Sequence, residues 1–98
     1  MSTLIIQHAV TDFSAWKKVF DSDPVGRARS GVTHHTIYRS VDDPNFVVIN
    51  LRFASREQAE KLLAVLHELW RSVGDTIGFG NAGVQARILE EIEDVTYP

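Results

Sequence analysis

The order of its hydrophobic periodicities constrains this chain most. Period-two alternation runs through Thr3–Val10, Val32–Arg39, Phe46–Phe53 and Val84–Ile92, and helical spacing fills Asp12–Arg29 and Ser55–Val73. The order strand, helix, strand, strand, helix, strand predicts an α+β fold, a four-stranded antiparallel sheet with two main helices on one face. The 98 residues suffice for one core and one domain, and no linker, low-complexity tract or charge block divides them.

Local chemistry places the boundaries. Asp12 is an N-cap for a helix whose Phe13, Trp16, Val19 and Phe20 form an apolar stripe. Asp23-Pro24 interrupts it, giving a helix to about Asp21 and a short helical segment from Pro24 to Arg29 that Gly31 ends. Asp-Asp-Pro-Asn within Ser40–Asn45 is turn chemistry and makes strands two and three a hairpin. Ser55-Arg-Glu-Gln58 reads as a capping box, followed by Ala59, Leu62, Leu63, Leu66, Leu69, Trp70 and Val73 on one helix face. Gly74 stops that helix, and a loop to Gly83 leads into strand four.

Alternation also sorts the two faces of the sheet. Leu4, Ile6, Val10, Ile49, Leu51, Phe53, Val84, Ala86 and Ile88 suit burial under the helices. The opposite face mixes Ile5, Ala9, Val48 and Leu89 with Gln7, Asn50, Arg52 and Arg87. A half-apolar face predicts packing against a second copy, and the extended stretch to Tyr97 is long enough to reach across to it.

Composition narrows the function classes. The net charge is -3 and the basic residues are scattered, which argues against nucleic acid as a partner. The absence of cysteine removes disulfides, thiolate metal sites and cysteine nucleophiles. No apolar run approaches membrane-spanning length and no signal-peptide pattern opens the chain, so no membrane association and a cytoplasmic location are expected.

His8-Ala-Val-Thr-Asp-Phe-Ser-Ala-Trp16, Phe20-Asp-Ser-Asp-Pro-Val-Gly-Arg27, Gly31-Val32 and Asp43-Pro44-Asn45-Phe-Val-Val48 carry a family resemblance. On them the chain resembles the dimeric α/β-barrel superfamily, in its antibiotic-biosynthesis-monooxygenase-like branch. The resemblance implies a homodimer of ferredoxin-like subunits whose sheets face each other across a barrel. It also implies a pocket between each sheet and its helices. Relatives include cofactor-independent monooxygenases of polyketide-type quinols, haem-degrading monooxygenases, muconolactone isomerases, cyclases and members that only bind ligands. His8 stands where the haem-degrading relatives carry asparagine, which disfavours haem degradation. Of the asparagine, tryptophan, tyrosine and arginine used by the quinol monooxygenases, the residue types are present as Asn50, Trp70, Tyr38 and Arg87.

The candidate chemistry centres on His8, a histidine in an otherwise apolar alternation on the helix-covered face. A neutral imidazole there could act as general base on an acidic phenol or enol. His34 and His35 point to opposite faces, and His35, on the face of Ile37, is the second catalytic candidate. Two imidazoles without a third ligand make no metal site, and no cofactor is called for. Trp16, Phe53, Trp70 and His67 are candidate walls for a small aromatic ligand. Gly78-Phe-Gly80-Asn-Ala-Gly83 matches a dinucleotide fingerprint by letter, but a helix enters it and a strand leaves, the reverse of what pyrophosphate binding requires. No Ser–His–Asp order supports a hydrolase.

Overall fold

A computed structural model describes residues 2–23, 26–73 and 83–98. Its elements are β1 (Ser2–Ala9), α1 (Phe13–Asp21), β2 (Val32–Arg39), β3 (Phe46–Phe53), α2 (Arg56–Val73) and β4 (Val84–Glu90). The strands form one four-stranded antiparallel sheet in the order β2-β3-β1-β4. The βαββαβ ferredoxin-like architecture read from the periodicities is therefore the observed one.

Pairing register fixes the two faces. The row His35–Leu51–Leu4–Ile88 and the row Arg39–Val47–His8–Val84 belong to the helix-covered face. The rows His34–Arg52–Thr3–Leu89 and Thr36–Asn50–Ile5–Arg87 belong to the open one. The core lies between sheet and helices: Leu4, Val47, Phe53 and Leu62 are at most 2% exposed, joined by Ile6, Ile49, Leu51, Trp16, Ala59 and Leu66. Leu63, Leu69 and Trp70 border this core half-buried, and Val73 and the 74–82 loop, with most of the glycine fingerprint, lie outside the described side chains.

Two boundaries differ from the sequence reading, each for a local reason. α1 does end at Asp21, where Ser22 caps it and Asp23 turns the backbone left-handed at φ 55°. Pro24 is outside the described residues, and the chain from Gly26 to Gly31 makes a turn, with Ser30 N–H donating to Gly26 O, in place of a short helix. β4 stops at Glu90, short of Ile92, because Glu90 already stands opposite Ser2, where β1 begins.

The capping box is also only partly reciprocal. Ser55 Oγ accepts the Gln58 N–H at 3.3 Å, but the Gln58 side chain takes the Ser55 hydroxyl proton, not the Ser55 amide. That side chain is pressed against Gly31, where a Cβ would sit 2.7 Å from the Gln58 amide and φ is +99°. Any side chain at Gly31 would strain the entry to β2 and collide with the first turn of α2.

Candidate functional site

α1 is pinned at its start from two directions. Asp12 accepts the Ala15 N–H at 2.9 Å, as an N-cap should, and Asn45 Oδ1 accepts the Phe13 N–H at 3.0 Å. Asn45 also holds the exit of β1, its carbonyl accepting the Val10 N–H at 2.7 Å. With its N-terminus fixed, α1 drives Trp16 onto the sheet, where it is 5% exposed.

Trp16 meets His8. The two rings lie 5.9 Å apart and nearly edge to face at 69°, with Phe13 5.8 Å and Phe20 5.3 Å from the indole. Phe20 in turn stands edge-on to His35 at 5.3 Å. The two candidate histidines thus lie at opposite ends of one aromatic run, His8–Trp16–Phe20–His35. They do not touch: β3 lies between their strands and they are four residues apart along the sheet, roughly 10 Å across and roughly 13 Å along.

Their environments differ. His8 is 3% exposed, and its Nδ1–H donates to the Ala9 carbonyl at 3.0 Å, which leaves the lone pair on Nε2. Burial lowers its pKa below the ordinary 6.5, the Ala9 contact offsetting part of this, so the ring is neutral at neutral pH. His35 is exposed on the edge strand β2. Its pKa is also lowered, by partial desolvation first and then by the positive charges of Arg27, His34 and Lys17, with Asp21 opposing them.

Arg27 is a member of this cluster that sequence reasoning missed. Its guanidinium lies 3.8 Å from the Phe20 ring centroid, donates to the Phe20 carbonyl at 2.9 Å and sits 3.5 Å from Asp23. It closes the C-terminus of α1 and crowns the ring that carries His35. An arginine six residues beyond the helix end, and four beyond Asp23, was the available signal.

The remaining candidates do not converge on His8. Phe53 is fully buried, but it pairs with Ser2 at the other end of β3, roughly 20 Å along the strand from Val47, the partner of His8. Trp70 borders the core on α2 with His67 edge-on at 5.6 Å, and His67 itself is exposed. The quinol-monooxygenase residue types divide between the two faces: Asn50, Tyr38 and Arg87 lie on the open face and Trp70 on the covered one. They cannot form one site within a subunit.

Among the described residues, no group of three or more His, Cys, Asp or Glu side chains converges as a metal site requires. Nor is any helix among them long and apolar enough to cross a membrane. A groove of about 320 Å³ on the open face runs between Ile5, Gln7, Gln85 and Arg87. A second, of about 520 Å³, lies between the start of α2 and the end of β4, beside Ser2, Arg56, Glu60 and Glu90.

No family model and no curated protein sequence matches this chain. Solved structures do. SnoaB, a cofactor-independent oxygenase from Streptomyces nogalater, is 16% identical over 98% of this chain and 97% of its own, with a TM-score of 0.75. A candidate antibiotic biosynthesis monooxygenase from Nitrosomonas europaea is 19% identical over 95% of this chain and all of its own, with a TM-score of 0.68. A dimeric ferredoxin-like protein from an uncultured marine organism is 14% identical over 96% and 97%, with a TM-score of 0.67. At these identities the likeness is one of fold, and the fold is the ferredoxin-like one of the antibiotic-biosynthesis-monooxygenase-like proteins.

Proposed function

We propose that this protein is a single-domain homodimer that carries out cofactor-free chemistry on a planar aromatic or polyketide-type small molecule. The reaction class is monooxygenation, or proton-transfer isomerisation or cyclisation. The observation that carries this reading is His8, a neutral imidazole of fixed tautomer, buried against Trp16 under α1. Nε2 would take a proton from an acidic phenol or activated methylene, and the low dielectric around it would strengthen its interaction with the resulting anion. For oxygenation the anion itself reduces dioxygen. A ring methylene becomes a carbonyl holding one oxygen atom, and the second oxygen leaves as water with the two methylene hydrogens. Trp16 supplies an apolar wall, and His35, at the far end of the aromatic run, stays outside the reach of a group reacting at His8.

The test uses an anthrone as probe and measures dioxygen uptake. The intact protein should consume dioxygen and yield the quinone, and His8→Ala should lower turnover by about 10²-fold or more while circular dichroism and sedimentation stay unchanged. A second reading rests on the same residue. His8 is 3% exposed and bonded within the chain, as a core histidine would be, which favours a ligand-binding or structural homodimer without catalysis. Unfolding of His8→Ala, or wild-type protein inert towards the probe, would support that reading and remove the enzymatic one.

A further inference from the structure

Arg27 is not the only cation on the aromatic run. Arg39, the last residue of β2, holds its guanidinium 4.8 Å from the centroid of the Phe13 ring, at the opposite end of α1. Register sets it on the covered face in the same row as His8, with Val47 between them. Two strand spacings separate the backbones, roughly 10 Å. His35 is four residues away along its strand, whereas Arg39 is level with the buried imidazole.

The two arginines differ in what they hold. Arg27 is satisfied by Asp23 and the Phe20 carbonyl. The exposed Arg39 side chain has no ion-pair or hydrogen-bond partner among the described residues. Acids in the loops on either side are committed elsewhere: Asp12 accepts the Ala15 N–H, and Asp43 accepts the Asn45 N–H at 3.0 Å. The first turn of α1 carries no acidic residue. A guanidinium resting on a ring at an exposed site is weakly held, and a carboxylate that offers two oxygens to its fork displaces the ring.

The surroundings of Arg39 are apolar. Phe13 and Ile37 are half-buried beside it, and Val47 is fully buried on the way to His8. An inorganic anion would gain nothing from these surfaces, but an aromatic acid uses both the charge and the apolar wall.

We propose that Arg39 is a specificity-determining residue of the candidate site. It receives the carboxylate of an acidic aromatic substrate whose fused rings lie along the row towards His8. The carboxylate takes the place of the Phe13 ring at the guanidinium, and Arg39 orients the substrate without taking part in the proton transfer. This names the substrate class of the site proposed above and rests on its planar aromatic ligand.

Fluorescence titration with anthracene-2-carboxylate and with neutral anthracene-2-carboxamide tests this on the intact protein, each variant being checked for folding by circular dichroism. The wild-type chain should bind the carboxylate about tenfold tighter than the carboxamide. Arg39→Gln should abolish that preference and leave the carboxamide affinity within about twofold, and Arg39→Lys should keep part of it. Arg56→Gln, at an exposed arginine that starts α2, should change neither affinity. Equal wild-type affinities, a preference that survives Arg39→Gln, or binding of neither probe overturns the proposal. A preference that depends on Arg39 while an anthrone stays unoxidised removes the enzymatic reading and leaves acid recognition standing. Oxidation of an anthrone without such a preference does the reverse.

Discussion

The two helices occupy equivalent places in the βαββαβ order, yet they meet the sheet differently. α2 presents Ala59, fully buried, with Leu62 and Leu66, and its backbone approaches β1, β3 and β4 closely. α1 presents Phe13, Trp16 and Phe20, and its backbone approaches no strand to the same degree. Small and aliphatic residues let one helix settle on the sheet, and large, mutually tilted rings fill the space under the other. Both catalytic candidates, His8 and His35, lie against the rings of α1. One half of the fold is packed with small and aliphatic side chains, and the other with a run of rings that holds both candidate histidines.

The largest test of this contrast is in the core. Phe53→Ala removes a fully buried ring and should cost about 3–5 kcal/mol in urea unfolding, and the matched deletion Trp16→Ala under α1 should cost less than Phe53→Ala. Equal losses would mean that α1 is packed as tightly as α2, and the contrast would fail.

A smaller effect separates the helix starts. Asp12→Ala should destabilise by about 1 kcal/mol and Ser55→Ala by less, since the Asp12 cap is 2.9 Å long and charged and the Ser55 cap 3.3 Å and neutral. Thermal melts of the two variants in one buffer would show it.

The smallest is a dependence on pH. Folding holds His8 below its ordinary pKa of 6.5, so near and below that value the unfolded chain binds a proton that the native state resists. This contribution to stability is complete above pH 6.5 and is lost as the pH falls below it. His8→Gln should flatten the acid side of the melting temperature profile between about pH 5 and 7. An unchanged slope would show that His8 is not held neutral.

The fold was legible because it rests on short-range signals. Alternation placed four strands, helical spacing placed two helices, and Asp12 and Ser55 marked the helix starts. The burial of His8 was legible for the same reason, since its neighbours Ile6 and Val10 share its face. The arrangement around it was not. Residues on one face of a sheet can be three rows apart, which is why Phe53 was grouped with His8 and proves distant from it. Arg27 escaped notice because two of its partners are a backbone carbonyl and the face of a ring, which leave no mark in residue spacing; only its i,i+4 pairing with Asp23 does.

Asn45 has a consequence for the order of folding. It sits in the turn between β2 and β3, yet it bonds the last residue leaving β1 and the first amide of α1, more than thirty positions earlier. α1 can coil early, but it cannot seat Trp16 over His8 with a fixed orientation until the later hairpin has closed. During synthesis, therefore, the candidate site is assembled late, from a segment that waits on residues still to be made.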